Sequence, residues 1–308
     1  MSEDEDMSTA TIAKSRRKPT DRTALLLISP MLVLMAIMTI VPTIFLVYAS
    51  LHQVDLLTDN SPFVGLKNFT DFLKDGNQRI ALFRAFAFAA VVVLVELVVG
   101  MSLALVLQKN SRRNNIFTVI VMMPFAVTPV VSAMIFRELL NPGFGWLNYF
   151  MRIVGLPANT EWLAHSNTAW LAIIILDVWQ WTPFVALILI AGLQSLPLEP
   201  REAATIDGAN DRQIFRFVTL PQLAPFITIA IVLRSIQAIK TFDSFSILTN
   251  GGPGTSTEII NLQIYRIALG SFQIGAAAAV AVVFLICLLL LVPLLIRAVG
   301  KNAGGSQA

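Results

Sequence analysis

Glu96, Asp177, Arg234, Lys240 and Asp243 are charged residues that stand well inside long apolar runs or at their ends. A charged group near the centre of a bilayer costs at least ~2.5 kcal/mol even on the lenient insertion scale. Such residues must face protein or water, and the chemistry open to them is charge pairing, ion or proton relay, or contact with a polar solute. Lys240 and Asp243 are three apart, on one face of a continuous helix, and can pair with each other as a purely structural feature.

Other chemistries lack their residues. There is no GxxxxGK(S/T) phosphate cradle; Gly300-Lys301 comes nearest but has no upstream glycine and follows an apolar run. HExxH and GxSxG are absent as well. The single cysteine, Cys287, excludes an intrachain disulfide or a CxxC site, and His52 and His165 are too few for a metal centre. An intramembrane enzyme is thereby disfavoured. Transport or channel function remains, and uphill transport must draw its energy from an ion gradient or from another polypeptide.

The elements that must position these residues are membrane spans. Of 308 residues 56% are hydrophobic and only 13% charged, against roughly 25% charge in soluble domains. Apolar runs near the ~20 residues needed to cross a bilayer recur along the chain. We read six, at about Ala24 to Leu51, Ile80 to Leu107, Ile116 to Phe136, Ala169 to Leu193, Leu223 to Phe245 and Phe272 to Arg297. The expected fold is an all-α integral membrane protein of six transmembrane helices. The first apolar run is too long for a signal h-region and is expected to remain as an uncleaved span.

Lysine and arginine set the orientation. With a cytoplasmic N-terminus, the inner segments hold Lys14, Arg16, Arg17, Lys18, Arg22, Lys109, Arg112, Arg113, Arg201, Arg212, Arg216, Arg297 and Lys301. The outer segments hold only Lys67, Lys74, Arg79, Arg84, Arg137, Arg152 and Arg266. Both termini are therefore expected inside, with tails at 1–22 and 299–308, in the cytoplasmic membrane. The basic balance describes topology; no basic patch is paired with stacking aromatics, so no nucleic-acid partner is expected.

Pro30, Pro42, Pro124, Pro129, Pro183 and Pro225 interrupt the spans, and each removes a backbone hydrogen bond and kinks its helix. The longest outer connections, about 52–79 and 137–168, carry Phe63, Phe69, Phe72, Trp146, Tyr149, Phe150 and Trp162. Aromatics at that depth suit short interfacial helices.

One polar stretch, EAATIDGANDRQIFRFVTLP at 202–221, lies between the fourth and fifth runs, on the inner side. Pro200 suits a first helical turn, and Glu202, Ala203 and Ala204 are good helix formers. Gly208 fits the left-handed residue that ends a helix, and Asn210 with Gln213 forms a capping box that starts a second one, expected to run until Pro221. Ala203 and Ala204 allow close approach. Ile206, Ile214, Phe215 and Phe217 offer apolar contact, and Glu202, Asp207, Asp211, Arg212 and Arg216 offer charge. This describes either a docking element or an amphipathic hairpin lying on the membrane surface.

The spacing here, EAA, three residues, Gly208, nine residues, then Val218-Thr219-Leu220-Pro221, resembles the signature loop of binding-protein-dependent ABC importer permeases, with Val218 where the family most often has isoleucine. DVWQWTPF at 177–184 and KTFDSFSILTNGGPGTSTE at 240–258 are similar to flanking blocks of the carbohydrate-uptake subfamily, of the MalF and UgpA type. The resemblance covers about 24–298. It implies an ABC importer type I transmembrane domain, with a permease core at 80–298 preceded by a first helix and outer loop at 23–79, and with a cytoplasmic coupling helix within the loop 199–221.

By the same resemblance, Glu202, Ala203, Ala204, Asp207, Gly208, Ile214, Phe215 and Pro221 meet a cytoplasmic ABC ATPase dimer. That dimer holds ATP and magnesium, and this chain holds no cofactor. A second permease subunit and an extracytoplasmic solute-binding protein complete the expected complex; position at the outer membrane edge, rather than the resemblance, makes Phe63–Phe72 and 250–258 the expected docking segments for the latter. Asp177, Gln180, Trp181, Phe184, Gln237, Thr241 and Asp243 are the candidate solute path, for a sugar, polyol, glycerophosphodiester or peptide. An ion-coupled secondary transporter is the rival class, although no inverted repeat is found.

Overall fold

The computed structural model describes residues 21–55, 61–108, 111–155 and 160–303. The tails expected at 1–22 and 299–308 therefore fall largely outside the described residues; Asp21 and Arg22 open the first helix and the last one runs to Ala303. The chain divides into two compact units, 1–48 and 49–308. The first supplies most of α1 (Asp21–Ser50), long and apolar enough to cross a membrane over Leu26–Ser50.

The second unit is helical throughout, with two isolated bridges, His52 to Phe63 and Asp55 to Gln273, as the only β pairing among the described residues. Its long helices are α3 (Gly76–Leu107), α7 (Ser166–Ser195), the continuous Asp211–Ile239 helix and α13 (Ile274–Ala303). Two short helices, α2 (Lys67–Lys74) and α6 (Trp146–Ile153), occupy the connections where aromatics predicted them. On α6 the rings of Trp146, Tyr149 and Phe150 are exposed. Its Asn148 turns inward, donating to Thr160 O and accepting from Trp162 Nε1 at 3.0 Å.

The third run departs from expectation. It is two helices, α4 (Arg112–Ala126) and α5 (Pro129–Leu139), bent by 92° at Val127-Thr128. The cause is local. Thr128 precedes Pro129, whose ring drives the preceding residue out of the helical region, and both linker residues are extended, with ψ 137° and 145°. At 1.5 Å per residue the two pieces are about 22 and 16 Å long, so neither alone crosses a ~30 Å core.

The fifth run departs at both ends. The hairpin's second helix does not stop at Pro221: α9 (Asp211–Ile214) continues through a π turn at Phe215–Thr219 into α10 (Leu220–Ile239). The wider turn accommodates Pro221, which has no N–H to give, while the Leu220 N–H reaches back five residues to Phe215 O. At the other end the helix stops at Ile239, and Asp243 begins a separate helix, α11 (Asp243–Leu248). Lys240 and Asp243 thus do not share a helical face, and no ion pair joins them among the described residues. Asn261, in α12 (Ile260–Tyr265), holds this break by donating to Ile239 O and Thr241 O, each at 2.9 Å.

α3, α7 and α10 pack together through two apolar clusters. One includes Val92, Val93, Leu176 and Ala238; the other includes Ala104, Val185, Leu189, Leu223 and Ala230. Small residues bring these helices close, since Gly100 packs on Val185 and Gly192 on Leu223 and Phe226. A Cβ on Gly192 would lie 2.6 Å from Phe226 Cγ and 2.7 Å from Leu223 Cδ1. Gly192→Ala must therefore push α7 from α10, at about 1–3 kcal/mol. A thermal melt of the purified subunit in detergent is expected to shift down, and an unchanged midpoint would contradict this packing.

Candidate functional site

The hairpin forms as its residues dictate. α8 (Glu199–Ile206) carries Glu199 and Glu202 in its first turn, where carboxylates complement the exposed N–H groups. It ends in a complete left-handed cap: Gly208 has φ +82°, its N–H donates to Thr205 O at 3.1 Å, and the Ala209 N–H donates to Ala204 O at 3.0 Å. The capping box is present in both directions, Gln213 N–H to Asn210 Oδ1 at 3.0 Å and Asn210 N–H to Gln213 Oε1 at 2.9 Å. Glu202, Ala203, Asp207, Gly208 and Pro221 are exposed and Ala204 is half-buried.

Its apolar contacts divide differently from the sequence reading. Ile206 and Phe217 are 86% and 69% exposed, whereas Phe215 is half-buried and Ile214 is 5% exposed. Ile214 is thus part of the hairpin's own fold. The exposed face of the turn is small residues and charge, flanked by two large apolar side chains.

Between the two apolar clusters lies a charged layer. Arg234 of α10 is 1% exposed, with Nε 2.7 Å from Glu96 Oε2 and Nη2 donating to Glu96 Oε1 at 2.9 Å. The same Nη2 donates to Asp177 Oδ2 on α7. Three spanning helices therefore share one guanidinium, whose planar fork can meet two carboxylates at once. Trp181, one turn after Asp177, covers the guanidinium, with Arg234 Cζ 4.9 Å from a ring centroid.

Trp181 in turn meets Phe125 edge-on at 5.6 Å, and Phe125 stacks on Phe184 at 5.4 Å. Phe125 is the penultimate residue of α4, just before the break. Gln180 spans that break: its Nε2 donates to Val127 O at 2.9 Å, supplying a partner to a carbonyl in non-helical backbone. Of the candidate solute path, then, Asp177 is buried and paired, Gln180 is buried with its Nε2 bonded and its Oε1 without a partner among the described residues, while Trp181, Phe184, Gln237, Thr241 and Asp243 are half-buried. Trp181 and Phe184 share an aromatic group, Thr241 and Asp243 flank the α10–α11 break, and Gln237 Oε1 has no hydrogen bond among the described residues.

Sequence reading marked Arg234 as an intramembrane charge but left it outside the candidate solute path, and it passed over Phe125 and Asn261. Opposite charges in three spans were the available signal for Arg234; nothing local marked the other two.

At the end of the unit away from the hairpin, residues 249–258 form a tied loop. Arg84 of α3 donates to Thr255 O, Trp170 of α7 donates to Ser256 O at 3.1 Å, and Arg266 pairs with Glu258. This loop is thus fastened to the same helices that carry the ion triad.

Comparison with known proteins agrees with this architecture. Residues 96–303 match the family described as binding-protein-dependent transport system inner membrane component. The trehalose/maltose transport system permease protein MalF of Thermococcus litoralis is 36% identical over 257 residues, 83% of this chain and 86% of that one. The trehalose transport system permease protein SugA of Mycobacterium tuberculosis is 29% identical over 306 residues, 98% and 97% of the two chains. Among solved structures, a chain of a bacterial alginate ABC transporter in complex with a periplasmic protein superposes with a TM-score of 0.81 at 20% identity. The match covers 92% of this chain and 96% of that one, and it speaks for the fold alone. The broken span, the buried charged layer and the hairpin therefore belong to a member of the binding-protein-dependent transport system inner membrane component family, a multi-pass permease subunit with the ABC importer fold.

Proposed function

We propose that this chain is one of two permease subunits of an importer for a sugar or related carbohydrate, and that a separate ATPase dimer drives it through the 199–221 hairpin. The observation that carries the reading is the hairpin: a solvent-facing turn of small residues, flanked by Ile206 and Phe217 and built without a break onto a spanning helix. An ATPase surface could take up Glu202, Ala203, Ala204, Asp207 and Gly208 closely, with Phe215 and Pro221 fixing the exit of the chain. ATP and magnesium then belong to the partner, and this chain carries no nucleotide site. The excess of lysine and arginine on the hairpin's side supports cytoplasmic termini.

Maltose and trehalose transport in the relatives supports a disaccharide as solute. Half-buried Trp181 and Phe184 offer faces for sugar rings, and Gln237, Thr241 and Asp243 offer hydrogen bonds to hydroxyls. The solute-binding protein would dock at the far end, near Phe63–Phe72 and 250–258. A cycle follows if the ATPase and the loaded binding protein each bind one permease arrangement better than the other, because a ligand shifts an equilibrium only by its differential affinity.

The test is uptake of radiolabelled trehalose and maltose by proteoliposomes holding the complete complex. Uptake is expected to require ATP and binding protein and to ignore a protonophore or sodium ionophore. Ionophore-sensitive uptake without ATP would replace this reading with a gradient-driven carrier.

A further inference from the structure

We propose that Arg234 is a positioning residue of the transport cycle: it passes displacement of the 199–221 hairpin to the break between α4 and α5. The inference rests on the hairpin being the ATPase contact, as proposed above, and adds a route and a residue.

The route is continuous in the structure. From Asp211 the helix runs without interruption to Ile239, so Arg234 stands 23 residues along it, about 35 Å at 1.5 Å per residue. The π turn at Phe215–Thr219 and Pro225 lie within this run without ending it, and a shift at the hairpin is carried along it to Arg234. That guanidinium is held by Glu96 on α3 and Asp177 on α7, and its face carries Trp181. Trp181 touches Phe125, and the residue before it on α7, Gln180, holds Val127 O inside the break. One side chain thus ties the driven helix to two neighbours and to a segment that is in two pieces, α4 and α5.

A purely structural tie would explain the ion pairs alone. It would not require a planar cation stacked on an indole that itself abuts the break. Lysine separates the two roles, because an ammonium retains charge but is a point donor that cannot fork to two carboxylates and stack at the same time.

The experiment uses the whole complex in proteoliposomes, with trehalose and maltose as probes, and reads both uptake and binding-protein-stimulated ATP hydrolysis. Arg234→Lys is expected to assemble and to keep ATP hydrolysis near the wild-type rate. Sugar moved per ATP should fall about tenfold, within the usual range of coupling free energies. Trp181→Leu should lower the same ratio, and Trp181→Phe, which keeps an aromatic face, should restore most of it. An unchanged ratio in Arg234→Lys overturns the proposal, as does a parallel fall in uptake and hydrolysis or a failure of Arg234→Lys to assemble, since each leaves Arg234 a structural tie only. Absence of ATP-driven uptake in the wild-type complex would instead count against the proposed function itself.

Discussion

Arg234→Met is expected to be among the most destabilising single substitutions in the chain. It leaves Glu96 and Asp177, both essentially fully buried, without their cation. Removing one partner of a buried ion pair costs about 3–5 kcal/mol, chiefly because a charge is stranded. Replacing the whole group with apolar residues of similar volume is often neutral. The triple variant Glu96→Met, Asp177→Leu, Arg234→Met should therefore recover most of the thermal midpoint and the monodisperse yield in detergent that Arg234→Met loses. A triple variant no more stable than the single one would mean that the cost lies in lost packing around Trp181 rather than in stranded charge. If the recovered triple variant assembles yet transports poorly, charge in this layer serves movement more than stability.

Gly208→Pro should abolish ATP-driven uptake while leaving membrane insertion intact. Proline locks φ near −65° and lacks the N–H, whereas Gly208 sits at φ +82° and donates to Thr205 O. The turn cannot form, so α8 loses its place against α9. Gly208→Ala isolates backbone strain from contact, because a Cβ there meets nothing within 4 Å. It carries only the left-handed penalty, about 1–2 kcal/mol, and should reduce uptake partially. Ala203→Glu, at an exposed position with the turn intact, should match the proline variant if a partner surface packs there. Immunoblots of membrane fractions with uptake in the same vesicles check all three, and wild-type uptake by Gly208→Pro would remove the hairpin from the mechanism.

How much of this was legible in the sequence follows from the range of the forces involved. The hairpin was readable nearly residue by residue, since a left-handed glycine and a capping box are local devices within four positions of each other. Spans were readable by length and apolarity. The break in the third span was only half readable: Pro124 and Pro129 announced a kink, but two extended residues and a 92° bend depend on Gln180, more than fifty positions away, to satisfy the freed Val127 carbonyl. The ion triad was not readable as a triad. Helices that are apolar all round show no stripe to say which face meets which neighbour, so Glu96, Asp177 and Arg234 stood as three separate costs rather than one group. The pairing expected of Lys240 and Asp243 failed for a related reason. Their spacing presumes a helix, and the helix ends one residue earlier, where Asn261 donates to the last helical carbonyl, Ile239 O, and to Thr241 O beyond it.

The same long-range ties make the candidate site coherent. The intramembrane charges Glu96, Asp177 and Arg234 are spent on one another and Gln180 Nε2 on broken backbone, which leaves the half-buried Trp181, Phe184, Gln237, Thr241 and Asp243 as the proposed surface for a hydroxylated solute. Buried charge in this membrane interior thus ties three helices together, and a neutral amide, Gln180, holds the irregular backbone.

The central claim, that another protein's ATP hydrolysis enters through the hairpin, is tested most directly by a photoreactive benzoyl-phenylalanine introduced at Ile206, 86% exposed beside the turn. In membranes carrying the complete complex, irradiation is expected to give a covalent adduct with the ATPase subunit, lost when Gly208→Pro is added. Adducts with the solute-binding protein or with lipid alone would contradict the account.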